Sequence, residues 1–480
     1  MDDINKDTHH PPVDEVDAKL QISDAITSTA YSTLGGAYSW YVSSYTEQIF
    51  GTGNNQLAKA ELRNRTETAA SSTFNNEWNA TYSNLLNIKQ AIDKTADGKV
   101  SAGQLDVKGI AQVLWVIDFE TLTDLHGDIP YSEALQGLSN TQPKLDKQEA
   151  IYSDLLAVID DAITNLNTAI SKKMSNVGNY DLIYGGKLKS WVGLAYAVKA
   201  RLLLNTLYRN SSVLPQVVTA ANNAIANGFD GAQLAIFNGI SADNSWAAFN
   251  WSRYYSGACQ TVANLFIARN DPRNDIYSNN DYWAYAYGSD YDGPANAPAG
   301  SEEYADATEW VGYPTWLDNG SATIHLFSKS ELYFILAEAQ SRLGQDPSAA
   351  FATAVAASFD DYATAGDWGY DDSFSVDSYI AALGKVTLDE IMVQKYLAQV
   401  RDEQLQTYND IRRCTALGET HVKLLNPHNT SGGKNQWPLR LPYGNSDVIS
   451  NPNIASAFGS GNTAGDYIFT ENIWLFGGSR

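Results

Sequence analysis

Asp124, His126 and Asp128 alternate along a short stretch of the chain, and their side chains are suited to chemistry. A histidine between two carboxylates can bind a metal ion, or it can act as a base that a carboxylate orients. The same stretch contains Gly127 and Pro130, which predict a turn. Alternate residues beside such a turn seldom converge on one ion without further ligands, so we predict no metal site here.

A second segment, at 93–104, has part of the pattern of a calcium-binding loop. Asp93, Asp97 and Gly98 match that pattern. Thr95 takes the third ligand position, however, and Gln104 takes the twelfth, where a bidentate glutamate is needed. Calcium affinity would be poor, and we predict a polar loop between two helices.

Signature motifs of catalysis are absent from the sequence. It contains no HExxH, no GxSxG nucleophile elbow, no phosphate-binding loop and no dinucleotide fingerprint. We therefore predict no catalytic residue, no cofactor and no metal ion. A glycoside hydrolase is the enzyme class left open, because any acidic chain offers pairs of carboxylates and their separation is set only in three dimensions.

Aromatic side chains are concentrated between residues 277 and 316. This stretch holds ten of the chain's 28 Tyr and 12 Trp residues, where an even spread would give about three. Rings cover the apolar faces of sugars, and the Asn and Asp side chains nearby can hydrogen-bond hydroxyl groups. A single ring in such a loop more often packs the loop onto the core. The cluster as a whole favours carbohydrate binding.

The composition limits the partners. The 480 residues carry a formal charge of −23, from 55 acidic and 32 basic side chains. This charge argues against binding to nucleic acid and disfavours anionic lipid, while it suits an extracellular protein with neutral ligands. No apolar stretch reaches the length of a membrane span. Cys259 and Cys414 cannot form a disulfide framework; they pair once or not at all.

Helices must position most of these groups. Apolar spacing predicts helical hairpins at approximately 75–93, 148–227 and 328–413, with a long irregular insertion at approximately 229–325. Helix–turn–helix units of this kind build tetratricopeptide-type arrays. Residues 1–20 are polar and contain prolines, which predicts an extended leader.

Two helix starts carry the signature of a capping box. Asp146 with Glu149 predicts one, and Ser328 with Glu331 predicts the other. Gly344 is predicted to end the second of these helices in a left-handed turn.

Four segments, in a fixed order, carry the most specific pattern of the chain. They are FETLTDLHGDIPYSEAL at 119–135 with QPKLDKQEAIYSDLL at 142–156, DLIYGGKLKSWVGLAYAVKARLLL at 181–204, SKSELYFILAEAQSRLG at 328–344 with AVAASF at 354–359, and QKYLAQVRDEQLQTYNDIRR at 394–413 with PLRLPYGNSDVISNPN at 438–453. This ordered set resembles the SusD/RagB family of nutrient-binding outer-membrane lipoproteins, and more closely its second SusD-like branch. His126 departs from the family pattern, which more often has an aromatic residue there.

The resemblance implies a mainly α, SusD-like fold for residues 21–480, as one domain. Four tetratricopeptide-like hairpins would lie on one side, and long irregular loops would form a ligand face on the other. It also implies that Asp124, His126 and Asp128 cap and hydrogen-bond a turn. Residues 2–7 resemble the stretch after the family's lipidated cysteine, so membrane attachment is expected only through an N-terminal lipid, on the outer face of the outer membrane.

The function that the resemblance implies is binding without catalysis. Such proteins hold nutrient oligomers, glycans in most cases and peptides in some, and act as the lid of a SusC-like TonB-dependent transporter. We expect the ligand between the 277–316 insertion and the segment before the helix that starts near Asn75. The residues predicted to contact it are Trp283, Tyr287, Trp310, Tyr313, Trp316, Tyr45, Asn54 and Asn55.

Overall fold

A computed structural model describes residues 15–51, 57, 60, 74–253, 256–278, 313–366, 369–371, 373–425 and 436–480. These residues are mainly helical, which confirms the predicted fold class. None of the helices within these ranges is both long and apolar enough to cross a bilayer. Residues 1–14 of the predicted leader lie outside the described residues, and Ala18–Gln21 form a 3-10 turn.

Short helices open the described chain. Helix α1 (Ile22–Ser28) runs into a π-helical turn (Thr29–Leu34), which is followed by α2 (Ala37–Tyr45) and strand β1 (Ile49–Gly51). Close packing explains the glycine at position 35, between the π-helical turn and α2. A Cβ atom at this position would lie 2.6 Å from the Ser245 hydroxyl oxygen, so only glycine allows this close approach.

Five longer helices follow, and each packs against the next. They are α3 (Asn75–Lys94), α4 (Leu105–His126), α5 (Gln148–Ser171), α6 (Leu188–Asn205) and α7 (Leu214–Ala226). Helices α4 and α5 approach closely at Gly109, where a Cβ atom would lie 2.6 Å from Leu166 Cγ. The last three of these helices lie within the 148–227 region, where hairpins were predicted.

The predicted insertion at 229–325 is less irregular than expected in its described part. It contains β2 (Ala232–Leu234), α8 (Ser245–Arg253), β3 (Ser256–Ala258), α9 (Gln260–Ile267) and α10 (Arg273–Ser278). These elements are only three to nine residues long. Such short elements leave little apolar periodicity in a sequence.

The second half of the chain repeats the helical packing. After β4 (Ile324–Phe327) come α11 (Lys329–Arg342), α12 (Ser348–Gly366), α13 (Val376–Leu383), α14 (Leu388–Ala398) and α15 (Gln404–Ala416), and then the short helices α16 (Asn445–Ser450), α17 (Pro452–Phe458) and α18 (Tyr467–Thr470). Helix α11 packs against α12, α14 and also α7. It therefore joins the two halves of the helical array.

Two antiparallel strand pairs connect distant parts of the chain. Strand β1 pairs with β3, with Ile49 opposite Ala258, and β2 pairs with β4, with Leu234 opposite Ile324. The first pair attaches α8 and α9 to the N-terminal helices. The second attaches the start of α11 to the end of α7.

The predicted helix caps at Ser328 and Gly344 are confirmed, and the one at Asp146 is wrong. Ser328 accepts a hydrogen bond from the backbone N–H of Glu331 (2.9 Å), and Gly344 has φ +71°, as predicted. The capping role predicted for Asp146 is wrong, because α5 begins two residues later, at Gln148. The carboxylate that accepts the N–H of Gln148 is that of Asp128, at 2.9 Å.

The buried apolar residues form two clusters. The larger is built mainly by α1 to α7 and α11, and the smaller by α8 to α10, the 3-10 turn at Thr315–Asp318 and parts of α12 and α14. Trp40, on α2, packs against both clusters.

Buried charges cross between the helices and are paired. Glu338 on α11 accepts hydrogen bonds from Arg413 on α15 (2.5 Å) and from Arg342 (2.9 Å), and its carboxylate lies 3.7 Å from the Lys395 amine on α14. These neighbouring cations hold the pKa of Glu338 well below its usual range, although burial opposes them. Asp410 binds both Arg413 (2.6 Å) and Lys395 (2.7 Å).

Glu338→Gln is therefore expected to lower the free energy of unfolding by about 3 kcal/mol, because it leaves the buried cations Arg413 and Lys395 with Asp410 as their one remaining shared carboxylate. Urea denaturation at neutral pH measures the loss. Glu149→Gln, the same change at an exposed site on α5, should cost less than about 0.5 kcal/mol. Equal stability of the two variants would contradict a role of this cluster in holding α11, α14 and α15 together.

Candidate functional site

A cleft of about 440 Å³ opens between the N-terminal helices and α8. The π-helical turn, α2, the first turn of α3 and one face of α8 form its walls. Three rings and three polar side chains matter most for its chemistry: Tyr31, Trp40, Phe249, Asn76, Glu77 and Ser245. We refer to it as the Trp40 cleft.

Stacked rings form the apolar wall of the Trp40 cleft. The Trp40 and Phe249 rings lie 4.1 Å apart between centroids at an angle of 26°, and Trp246 meets Trp40 edge-on at 6.2 Å. Phe249 and Trp246 are buried, whereas Trp40 is only partly buried. The other aromatic residues of α2 (Tyr38, Tyr41 and Tyr45) are buried. Core rings thus hold one partly exposed indole in place at the cleft.

Tyr31 provides a second accessible ring. Its side chain is 36% exposed, and its ring centroid lies 6.2 Å from that of Phe237. Its position on the π-helical turn carries it to the same cleft as Trp40.

Polar groups in the Trp40 cleft lack protein partners. Trp40 Nε1, Glu77 Oε2 and the Ser245 hydroxyl are inaccessible to solvent and make no hydrogen bond within the described residues. Burying such groups unpaired costs about 1 to 3 kcal/mol each. These atoms are closed to solvent in the structure, so the groups of the cleft that a ligand can contact include the Trp40 ring and the exposed Asn76 amide.

Glu77 is the carboxylate of the cleft. It lies in the first turn of α3, and burial raises its pKa to about 7. Among the described residues that line the cleft there is no lysine or arginine to oppose this effect. Near neutral pH the group is therefore divided between its acid form, which can donate a hydrogen bond, and its ionised form, which accepts them.

This combination of groups is suited to neutral polyhydroxyl ligands. A flat ring can cover the apolar face of a pyranose, while the exposed Asn76 amide and the partly buried Glu77 carboxyl bind its hydroxyl groups. The volume falls within the range of small-molecule sites, and the cleft is open to solvent.

The structure describes three of the eight residues predicted to contact ligand. Trp283, Tyr287, Trp310, Asn54 and Asn55 lie outside the described residues. Tyr313 is partly buried on the smaller apolar cluster, and its hydroxyl donates to Asp318 (2.6 Å).

Trp316 and Tyr45 are core residues. Trp316 is 3% exposed and meets the Tyr362 ring edge-on at 5.2 Å, and Tyr45 is fully buried. Neither ring offers a free face to a ligand in this structure. Rings of this size bury a large apolar area, and this burial stabilises the core.

Asp124, His126 and Asp128 do not form a metal site. Their side chains point to different partners. Asp124 accepts hydrogen bonds from Tyr152 (2.5 Å) and Asn409 (2.6 Å), and burial raises its pKa to about 7. The ring of His126 lies 3.1 Å from the Tyr38 hydroxyl, and burial lowers its pKa to about 3. Asp128 caps α5 and binds Lys147 (2.7 Å).

The 93–104 segment forms turns between α3 and α4, as predicted for a loop between two helices. Cys259 and Cys414 are both buried, and no disulfide joins them.

Sequence reasoning missed Tyr31, Glu77 and Phe249. The aromatic stretch around Trp40 was a visible signal, but its spacing does not show which ring faces out. Glu77 belongs to no sequence motif. Its importance comes from its burial beside α8, which the sequence does not show.

Comparison with known proteins places the fold in a family. Residues 15–443 match a family model described as starch-binding and associating with the outer membrane. A SusD/RagB family protein from Bacteroides thetaiotaomicron is 30% identical, with a TM-score of 0.81 over 97% of this chain and 100% of that chain.

More distant structures share the fold. A SusD homologue from Bacteroides fragilis is 19% identical (TM-score 0.71, covering 96% of this chain and 100% of its own). A chitin-binding SusD homologue from Flavobacterium johnsoniae is also 19% identical (TM-score 0.69, covering 95% of this chain and 98% of its own). No match was found among curated protein sequences. The family match over most of the chain, together with the 30% identity, shows that this protein belongs to the SusD-like family.

Proposed function

We propose that this protein binds glycan oligomers at the cell surface without cleaving them, and that the Trp40 cleft contacts the sugar. The observation that carries the proposal is the partly exposed Trp40 ring, held against Phe249 in an open cleft that polar side chains also line. The family description, starch-binding, and the chitin-binding homologue support a glycan rather than a peptide as the ligand class.

The position of the Trp40 cleft agrees with the expected ligand region. Asn76 and Glu77 belong to the first turn of α3, directly after the segment that was expected to form one side of the site. The ligand residues predicted within 277–316, outside the described part, would act together with this cleft and remain part of the proposal.

A binding role without catalysis follows from the carboxylates of the cleft. Hydrolysis of a glycosidic bond uses two carboxyl groups, about 5 to 10 Å apart, one on each side of the bond. Glu77 is the single carboxylate among the described residues that line the Trp40 cleft. The alternative of a glycoside hydrolase is therefore less favoured.

Purified protein incubated with soluble oligosaccharides of starch, of chitin and of other neutral glycans should bind at least one of them and release no product. Isothermal calorimetry measures the binding, and chromatography of the supernatant measures any product. Turnover in excess over the protein, abolished by changing one carboxylate, would overturn the proposal. Binding to peptides alone would assign the protein to the peptide-binding members of the family.

Variants of Trp40 connect this binding to the cleft. Trp40→Ala should weaken it about fivefold to tenfold, since a stacked ring contributes on the order of 1 kcal/mol. Trp40→Phe keeps a ring and should lose less. Trp474→Ala removes a partly buried ring on a distant 3-10 turn and should bind like the wild type. If Trp40→Ala folds and binds normally, the sugar binds elsewhere.

The pH dependence of binding should reflect the ionisation of the Glu77 carboxyl. Its pKa of about 7 means that the carboxylate form prevails above pH 7 and the acid form below it. A carboxylate is the stronger acceptor for sugar hydroxyls, so affinity should fall roughly fivefold from about pH 8 to about pH 6. Glu77→Gln should flatten this profile. A wild-type profile that is flat, or that rises as the pH falls, would contradict this role.

We also propose that the protein is a surface lipoprotein of the outer membrane and acts as the lid of a SusC-like TonB-dependent transporter. The helical hairpins of α6 with α7 and α11 with α12 form a broad, rigid surface of the kind that repeat arrays use for partners.

Purification of the full-length, lipidated form from membranes in mild detergent tests the partner. A large β-barrel transporter should accompany it, and the complex should survive gel filtration. Repeated recovery of the lipoprotein alone, under conditions that keep known transporter complexes intact, would contradict the lid role while leaving glycan binding unaffected.

A further inference from the structure

A small cavity of about 50 Å³ lies between α14, the end of α15 and the turn that follows α15. Cys414, Glu419 and His421 are among the residues that line it. It is large enough for an ion with one bound water. The Trp40 cleft shares no lining residue with it.

Three different ligand atoms meet at this cavity. The Cys414 sulfur, a Glu419 carboxylate oxygen and a ring nitrogen of His421 all lie within 4.8 Å of one another. His421 Nε2 and Glu419 Oε2 are 3.1 Å apart. Two ligands that bind one tetrahedral zinc ion at about 2.0 to 2.1 Å lie about 3.3 Å from each other. The observed spacing is therefore close to that of a site.

The local fold explains why residues from a helix and a turn converge. Cys414 lies in the last turn of α15, and Gly418 follows the helix with φ +77°. The Glu419 N–H then donates to the Cys414 carbonyl (2.8 Å), which closes the turn. This reversal returns Glu419 and His421 to the side of the helix that carries the thiol.

Neighbouring groups hold two of the three ligands in orientation. Asp389, at the start of α14, lies 2.5 Å from His421 Nδ1 and leaves Nε2 directed toward Glu419. A carboxylate on the second ring nitrogen is the usual partner of a metal-binding histidine. Arg342 donates to both oxygens of Glu419 (2.8 and 2.7 Å), and a carboxylate oxygen in such a pair keeps a free lone pair.

We propose that Cys414, Glu419 and His421 bind a zinc-type divalent cation, with a fourth position open to the cavity. The combination of sulfur, nitrogen and oxygen ligands selects zinc over calcium or magnesium, which prefer oxygen alone. Burial raises the pKa of the Cys414 thiol to about 12, so the ion replaces a thiol proton when it binds. The competing role of the cluster is a purely structural ion pair of His421 with Asp389 and Glu419.

Cobalt(II) is the probe, because a thiolate bound to it gives a charge-transfer band in the near ultraviolet. The metal-free protein, kept under a non-thiol reductant, should develop this band with one equivalent of cobalt and lose it when zinc is added. Zinc should also raise the melting temperature, since it binds only the folded state.

Matched variants separate this site from chance binding. Cys414→Ser should lose the band, whereas Cys259→Ser, the same change at the other buried cysteine, should keep it. His421→Gln should weaken zinc binding strongly, and Asp389→Asn should weaken it about tenfold or more. Circular dichroism checks that each variant is folded.

Absence of the band in the wild type, or an equal band in Cys414→Ser, would overturn the proposal. If Cys414→Ser does not fold, the His421→Gln variant tests the proposal instead. A His421→Gln variant that binds zinc as tightly as the wild type would also overturn the proposal. Glycan binding by the wild type is measured separately and does not depend on either result.

Discussion

Charges buried between helices have to be paired, and this constraint organises the helical array. Glu338 on α11 is fully buried and holds Arg413 of α15 and Arg342 of its own helix. Arg201 on α6 likewise joins Glu120 on α4 (2.7 Å) to α11 through Glu331 (3.4 Å). Each ion pair is expensive to desolvate, and removing one partner leaves an uncompensated charge. The shared ion pairs thus favour the packing of α4, α6, α11 and α15 that the structure shows.

Buried polar groups have different surroundings in the core around Asp124 and in the Trp40 cleft. Where the interior is complete, as around Asp124, carboxylates find hydroxyl and amide partners from several helices. In the Trp40 cleft, an indole N–H and a carboxyl oxygen stay without a partner in the described chain. Unpaired buried atoms also occur away from the cleft, as at Asp118 Oδ1 and Trp316 Nε1, so they do not by themselves mark a binding site. The partly exposed Trp40 ring beside an open cavity distinguishes the cleft and supports it as a binding site.

Aromatic residues serve two purposes in this protein, and the environment separates them. Trp316 packs within the smaller apolar cluster, although it belongs to the aromatic-rich stretch that suggested carbohydrate binding. Trp40 has the same side chain, but it lies where the two clusters meet and keeps part of its ring accessible. Shape and burial, more than composition, determine whether a ring stabilises the core or contacts a ligand.

The sequence by itself determined the helical class, the family and the cap at Ser328, because these depend on local periodicity, on ordered motifs and on hydrogen bonds between near neighbours. It did not determine the start of α5, where the capping carboxylate comes from Asp128, twenty residues away. The Trp40 cleft and the Cys414 cluster were equally hidden. Glu77 and Phe249 of the cleft are far apart along the chain, so only helix packing brings them together, and only burial gives Glu77 its altered pKa. Cys414, Glu419 and His421 lie within eight residues, but the turn that brings them together and their contact with Asp389 on α14 are decided by the tertiary structure.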